Sequence, residues 1–288
     1  MSNPASGQPV SGNHVSGKVV VVTGAGSGFG RLVCRKTAAL GAKVVCADVN
    51  ESALKETVAA TEAAGGRAVG RVTDVRRLAD MQALAQLAVE RYGAIDVMVN
   101  NAGIMPLAFF ADHARAMEAW ERCIDVNIKG VLNGIAAVHD QMIAQGRGHV
   151  VNLSSIYSNF PVAGAAVYAA SKSAVNFFSE ALRVESQGKI KVTNVRPTGV
   201  PATGLAGAIV NQAAIVGILG QNAPAYLQQM QAFAAGELPA EYSDAENIEY
   251  YALAPEHLAD QIVYAIDQPW GVSISDITVR ASGDRYVL

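Results

Sequence analysis

Tyr168 and Lys172 stand four residues apart in Tyr168-Ala169-Ala170-Ser171-Lys172, a spacing that sets both side chains on one face of a helix. A Lys ammonium beside a phenol favours the phenolate and draws a reference pKa of about 10 toward working pH. A phenol tuned in this way can take the proton of an alcohol as a general base. Upstream, Asn152-Leu153-Ser154-Ser155 closes an apolar run and offers a serine hydroxyl to the same chemistry. A Tyr/Lys pair alone is cheap surface decoration, so its weight depends on what else the chain provides.

It provides a glycine turn. Thr23-Gly24-Ala25-Gly26-Ser27-Gly28-Phe29-Gly30 directly follows the β-branched run Val19–Thr23 and precedes a helical pattern. Glycines are needed where a chain turns tightly and brings backbone N–H groups up to a pyrophosphate at a helix N-terminus. The spacing is T-G-x-x-x-G-x-G, with Ser27 and Phe29 between the last glycines, and not G-x-G-x-x-G. Eighteen residues beyond Gly30, Asp48 ends the next apolar run, followed by Val49. An acid there accepts hydrogen bonds from both ribose hydroxyls of NAD and repels the 2′-phosphate of NADP. Neither Ser27 nor Val49 offers a cation to that phosphate, so NAD is the expected cofactor. A solvated Asp capping the next helix is the plainer alternative.

The elements that must position these groups alternate regularly. Strands are expected over Val19–Thr23, Lys43–Asp48, Ala68–Val72, Ile95–Asn100, His149–Ser154, Lys191–Val195 and Ser273–Val279. Helices are expected over Phe29–Leu40, Glu51–Ala64, Ala79–Tyr92 and Val167–Glu185. Such alternation predicts an α/β fold, a doubly wound parallel sheet of about seven strands with helices on both faces. No linker divides the chain. The expected organisation is a loose arm over residues 1–17, rich in Ser, Gly, Pro and Asn, and one domain over 18–288 with a lid over 197–250.

Composition narrows the partners. The chain has 288 residues, 51% of them hydrophobic and 16% charged, against about 25% charged in an ordinary soluble protein. That sparing use of charge predicts a homo-oligomer, dimer or tetramer, that hides apolar surface between copies. With 22 Lys+Arg against 25 Asp+Glu and no basic run, nucleic acid is excluded as a partner. No uncharged apolar stretch reaches the roughly 18 residues of a membrane span, and Ala206–Gly220 is broken by Asn211 and Gln212. The first cation is Lys18, so Met1–Gly17 lacks the charged start of a signal peptide. Cys34, Cys46 and Cys123 are odd in number and widely spaced, as reduced thiols of a cytoplasmic protein would be. The five histidines lie on separate segments and make no metal site.

Taken together, the sequence resembles the short-chain dehydrogenase/reductase family in its compact, single-domain branch, from Lys18 to Val279. The resemblance is carried by the Thr23–Gly30 turn, Asp74-Val75, Asn100-Asn101-Ala102-Gly103, Asn127, Ser155 and Tyr168-x-x-x-Lys172. It implies a Rossmann-type domain and gives roles to matching positions. Tyr168 would move the proton and Ser155, rather than Ser154, would hold the substrate oxygen. Lys172 would bind the nicotinamide ribose and lower the Tyr168 pKa, and Asn127 would support a water in a proton relay. Asp74 and Val75 would meet the adenine and Asn101 the adenosine ribose, with Ala102 and Gly103 beside it. Val200 would reach the nicotinamide amide. One segment departs from the family pattern: Pro197-Thr198-Gly199-Val200 carries Thr198 where a glycine usually follows the proline, and the usual downstream Thr is displaced by one residue, to Thr203.

The lid points to the substrate. From Pro197 to Gly236 there is no Asp, Glu, Lys or Arg in 40 residues, which suits an apolar ligand or, alternatively, another subunit. Met105, Tyr157, Phe160 and Val162 are further pocket candidates. The expected activity is NAD-dependent interconversion of a hydrophobic secondary alcohol, alicyclic, aromatic or terpenoid-like, and its ketone. An NADPH-dependent carbonyl reductase and a non-catalytic dinucleotide sensor are the competing readings.

Overall fold

A computed structural model describes residues 12–200, 203–251 and 253–287. Its centre is a seven-stranded, all-parallel sheet in the order β3-β2-β1-β4-β5-β6-β7. The strands are β1 (Val19–Thr23), β2 (Lys43–Asp48), β3 (Arg67–Val72), β4 (Val97–Asn100), β5 (Gly148–Leu153), β6 (Ile190–Pro197) and β7 (Asp276–Val279). The order reverses between β1 and β4, which opens a crevice at the carboxyl ends of these strands.

β1 explains why helices cover both faces. All five of its residues are buried, and successive side chains alternate between faces. Val20 and Val22 pack with Val33 and Cys34 of α1 (Gly28–Ala39) and with Leu258, Ile262 and Ile266 of α10 (Pro255–Ile266). Val19 and Val21 pack on the opposite face with Met81 and Leu84 of α3 (Leu78–Tyr92), Val138 and Met142 of α5 (Gly130–Ala144), and Leu182 of α6 (Ala166–Glu185). Each such residue, fully buried, contributes about 1.5–3 kcal/mol. α2 (Glu51–Ala63) closes the first face, its N-terminus capped by the Asn50 side chain on the Ala53 N–H.

Between β4 and β5, α4 (His113–Cys123) runs through a π-helical stretch (Ile124–Lys129) into α5. Between β6 and β7 lie the short α7 (Val216–Leu219), α8 (Ala223–Ala235) and α9 (Ala240–Ser243), and then α10. No helix among the described residues is long and apolar enough to cross a membrane.

Two expectations change. Residues 1–11 of the expected arm lie outside the described residues, but Asn13–Gly17 are not loose. Val15 is fully buried in the α1/α10 face and its N–H is held by Asp267 at 3.1 Å, while Asn13 Nδ2 donates to the Leu40 carbonyl at 2.8 Å. The thiols are all free, yet Cys34 and Cys46 are not apart: α1 and β2 bring their sulfurs to 3.4 Å.

Candidate active site

Thr23 ends β1, and its hydroxyl accepts from the Asn101 and Ala102 N–H groups at 3.1 and 3.2 Å. The Asn101 side chain closes the same junction, donating to the Thr23 and Gly24 carbonyls at 2.9 and 3.1 Å. Asn101 thus pins the turn that its own segment faces. Gly24 and Gly28 take positive φ, +65° and +48°, a region open to glycine at little cost. A side chain at Gly30 would collide with the Gly24 carbonyl. α1 begins at this turn with neither a side-chain cap at Ser27 nor an acid in its first turn. Its orphan N–H groups and positive dipole end are therefore free for an anion.

A cavity of about 430 Å³ opens over the turn, lined among others by Gly24, Ser27, Gly28, Phe29, Asp48, Val49, Asp74, Val75, Asn101, Ala102 and Gly103. Gly30 lies beneath it. The Asp48 carboxylate shapes the near wall, accepting from the Gly26 N–H on one oxygen and the Asn50 N–H on the other, both at 2.8 Å. Glycine at 26 is required because a Cβ there would stand 2.8 Å from Asp48 Oδ2. Ser27 and Val49 offer no cation, as expected, but Arg122 lines this cavity and so does Arg76. It is committed to Asp74, with Nε–Oδ1 at 2.9 Å and Nη2–Oδ2 at 2.6 Å, and it holds the Asp74 carboxyl below its usual range. Thr203, Leu205 and Ala208 complete the far wall, whereas Val200 packs on the cluster of Tyr250, Leu253 and Ala281. The fit to a dinucleotide is good: a glycine cradle, a free helix N-terminus and an acceptor 22 positions on from Gly26 share one cavity.

The second group of residues gathers at the ends of β5 and α6. The two serines after β5 separate. Ser154 turns its hydroxyl to Asn176 Oδ1 (2.7 Å) and the Lys172 carbonyl (3.2 Å). Ser155 caps the short turn Ile156–Ser158, accepting from the Tyr157 N–H, and its hydroxyl is near enough to Tyr168 to lower the phenol's pKa. Lys172 Nζ donates to the Leu153 carbonyl at 2.7 Å and lies 5.9 Å from the Tyr168 ring centre. Ser155, Tyr168 and Lys172 are all buried. Burial lowers the Lys172 ammonium from 10.5 to about 8.

The Tyr168 phenol runs against expectation. Burial raises its pKa well above 10, and the Ser155 hydroxyl opposes this only in part. Desolvation of a phenolate is the largest cause, and Lys172, itself buried and anchored on a carbonyl, is not among the groups that offset it.

Asn127 sits in the π-helical stretch, where an extra residue per turn re-aims side chains. Its Nδ2 donates to the Ile104 carbonyl (2.9 Å) and Ser171 Oγ (3.0 Å), and its Oδ1 accepts from the Ile104 N–H at 3.0 Å. Ser171, within the Tyr-Lys segment, was not singled out in sequence; it links Asn127 to the Tyr168 carbonyl at 2.7 Å. Asn127 Oδ1 and Lys172 Nζ face the same side of Gly103, 3.3 and 3.4 Å from where its Cβ would stand.

Over Tyr168 lies one apolar cluster. Tyr157 packs edge-on to Tyr168 at 5.4 Å between ring centres, and Val162, Ala214, Ile218, Leu219, Tyr226 and Tyr251 join them. Met105 lies half-buried against the cluster. Phe160 does not join it: 62% exposed, it lines with Val162, Phe109, Phe110 and Ala169 a separate cavity.

The short chain dehydrogenase family model matches residues 18–214. The chain is a short-chain dehydrogenase/reductase. This dehydrogenase is 35% identical over 272 residues to an uncharacterised oxidoreductase of Listeria monocytogenes, covering 94% of this chain and 99% of the relative. It is 35% identical over 189 residues to the 2,5-dichloro-2,5-cyclohexadiene-1,4-diol dehydrogenase of Sphingobium indicum, covering 65% and 75% of the two chains. Among solved structures it matches a short chain dehydrogenase/reductase from Burkholderia phymatum in complex with NAD, with a TM-score of 0.72, 31% identity and coverage of 92% and 89%. A metagenomic short-chain oxidoreductase in complex with NADP matches with a TM-score of 0.69, 28% identity and coverage of 93% and 98%.

Proposed function

We propose that this oxidoreductase uses NAD to interconvert a hydrophobic secondary alcohol and its ketone, with Tyr168 as the proton-transfer group. The observation that carries the reading is that the buried Ser155–Tyr168–Lys172 set adjoins the glycine-turn cavity at Gly103, a wall residue whose Cβ would stand 3.4 Å from Lys172 Nζ, near the crevice where the sheet order reverses. The relative acting on a cyclohexadienediol supports an alicyclic alcohol.

Gly24, Ser27, Gly28, Phe29 and the α1 N-terminus would hold the pyrophosphate, with Gly30 keeping the turn tight. Asp48 and Val49 would flank the adenosine ribose, Asp74 and Val75 the adenine, and Asn101, Ala102 and Gly103 the floor between the two halves. Tyr168 and Lys172 would meet the nicotinamide ribose, and Val200 is assigned to the amide by resemblance alone. NAD bound there would supply the acceptor for the hydride of the carbinol carbon. NAD is favoured over NADP because the Asp48 carboxylate lines the cavity beside the glycine turn and, of the two arginines on its wall, Arg76 is already paired with Asp74.

The Ser155 and Tyr168 hydroxyls would together hold the substrate oxygen between them. In oxidation the Tyr168 phenolate oxygen takes the alcohol proton; in reduction the phenol returns it. Lys172, cationic below about pH 8, supplies the charge that favours the phenolate. The space on Gly103 between Lys172 Nζ and Asn127 Oδ1 is the exit for the proton toward solvent. The apolar cluster over Tyr168 excludes water and receives the body of the substrate.

The chain is further proposed to be a cytoplasmic homo-oligomer. Leu132 on α5 and Phe177 and Val184 on α6 stand 48%, 77% and 67% exposed, an apolar outer face that a second copy would cover. The test is NADH absorbance at neutral and alkaline pH across small, alicyclic, aromatic and steroidal secondary alcohols, with NADP in parallel. Turnover of the bulky apolar members with NAD is the expected result. Nucleotide binding without turnover of any member would move the reading to a dinucleotide sensor.

A further inference from the structure

After β7 the chain turns back across the lid. Gly283 N–H donates to the Tyr250 carbonyl (2.8 Å), Asn222 Nδ2 to the Arg285 carbonyl (3.0 Å), and Val287 N–H to the Ile218 carbonyl (3.1 Å). Arg280 and Asp284 form an ion pair at 2.7 Å across the bend. These ties fix Tyr286 against Tyr226, with ring centres 5.9 Å apart, at the edge of the cluster that holds Tyr157 and Tyr168.

Gly199 shows how closely the tail is fitted. A Cβ at that position would collide with the Tyr286 hydroxyl and ring. Thr198 beside it is tied into the sheet through its N–H on the Val279 carbonyl at 3.1 Å. The glycine after Pro197 is therefore one place late for a physical reason: position 199 is where the backbone passes under the C-terminal tyrosine.

The hydroxyls of this cluster are poorly satisfied. Tyr226 and Tyr286 approach at 3.4 Å, beyond the usual O–H···O range of about 2.5–3.0 Å. The Tyr251 hydroxyl is buried without a partner among the described residues, although its ring packs on Tyr226 at 5.9 Å. A buried hydroxyl without a partner is costly, and a chain that keeps one has a use for it. Burial holds these phenols neutral, and Tyr226 lies close enough to influence Tyr157, Tyr251 and Tyr286. They are donors for a neutral oxygen, in a lid without charged side chains from Pro197 to Gly236.

We propose that Tyr286 of the C-terminal tail, with Tyr226 and Tyr251 of the lid, forms a second polar subsite that hydrogen-bonds an oxygen of the substrate remote from the reacting carbon. The proposal rests on the dehydrogenase reading above and deepens it. The substrate class becomes ring-borne diols and hydroxyketones: one oxygen at Tyr168 and Ser155, an apolar ring beneath Tyr157, and a second oxygen at the tail.

The test separates the two readings by measuring binding and turnover independently. Cyclohexanol and cyclohexane-1,4-diol, and the longer pair decalin-2-ol and decalin-2,6-diol, are titrated calorimetrically into the full-length protein with excess NADH, where an alcohol has no oxidant. In at least one pair the diol is expected to bind about tenfold tighter, the size of one buried hydrogen bond. Tyr286→Phe and Tyr251→Phe should each pull that ratio toward one. Thermal melts of the ligand-free variants control for folding, and Tyr251→Phe should melt no lower than the parent because it removes an orphan hydroxyl. Equal affinities within both pairs, ratios that survive both substitutions, or no binding of any diol overturns the subsite. Oxidation of the same alcohols with NAD tests the dehydrogenase reading alone.

Discussion

Lys172→Met separates the cost of the buried cation from its use. The ammonium is anchored on the Leu153 carbonyl, and burial lowers its pKa from 10.5 to about 8 against a smaller opposing effect of the Cys123 thiol. At 1.36 kcal/mol per unit, burying it charged costs about 3 kcal/mol at pH 7. Methionine removes that cost and forfeits one hydrogen bond worth about 1 kcal/mol. The nucleotide-free variant should therefore be about 2 kcal/mol more stable at pH 7, which is roughly 4 °C in Tm for a chain of this size. The sign of the pH dependence follows from the lowered pKa. Between about pH 8 and 10.5 the unfolded chain keeps a proton that the folded chain has shed, so parental stability rises with pH there. The variant lacks this contribution, and its advantage should fade by pH 10. Lys18 and Lys191 are lowered by burial too, but they are common to both chains and cancel in the difference. Urea unfolding of both proteins at pH 7, 8, 9 and 10, at one protein concentration, measures it, with NAD-dependent turnover of the variant expected to collapse. A variant less stable than its parent at pH 7, or a difference that does not shrink with pH, would refute the reasoning.

Tyr168→Phe should lower kcat by roughly 10²–10⁴, the range of a lost proton-transfer group, while calorimetry still detects NAD binding; turnover near the parental rate would remove Tyr168 from its role. Asp48→Asn keeps one acceptor for the turn but removes the charge, and the NAD/NADP ratio of kcat/KM should move at least about tenfold toward NADP. Gly30→Ala drives a methyl into the Gly24 carbonyl and should cost about 1–3 kcal/mol of stability together with most nucleotide affinity, read by melting and NADH titration. Phe177→Asp places a charge on the exposed α6 face and should shift sedimentation toward monomer; an unchanged oligomer would locate the interface elsewhere.

What was legible in the sequence was local. β1, β2 and α1–α3 fall within a residue or two of their expected bounds, because runs such as Val19–Thr23 and glycines such as Gly65-Gly66 mark them directly. The cavity residues were legible for the same reason: turn, Asp48 and Asn101-Ala102-Gly103 all follow strand ends that the sheet brings together. α10 was missed although Leu258, Ile262 and Ile266 keep a helical period behind Pro255. The segment between β6 and β7 was not legible, since the residues that join the Tyr168 cluster lie 46 to 58 positions away on helical turns without a clear polar face, and Tyr251, 83 positions away, lies in a loop. Tyr286, 118 positions from Tyr168, had no signal at all.

The Tyr168 phenol and the Gly199–Tyr286 fit show why spacing reads partners better than environment. Four residues on a helix state that Lys172 is near Tyr168, and the structure places it there at 5.9 Å from the ring. Spacing does not state that both groups are buried, and burial reverses the expected direction of the phenol's shift. A site that buries an ammonium anchored on a single carbonyl, a phenol and an orphan hydroxyl keeps three polar groups away from solvent. Gly199 carries the same lesson over a longer range. Against the family pattern it reads as a displaced glycine, and only the tail returning from β7 explains it. Stabilising replacements should therefore concentrate at these positions, Lys172 and Tyr251 first, because a residue that lowers stability in the free chain is retained for what it binds.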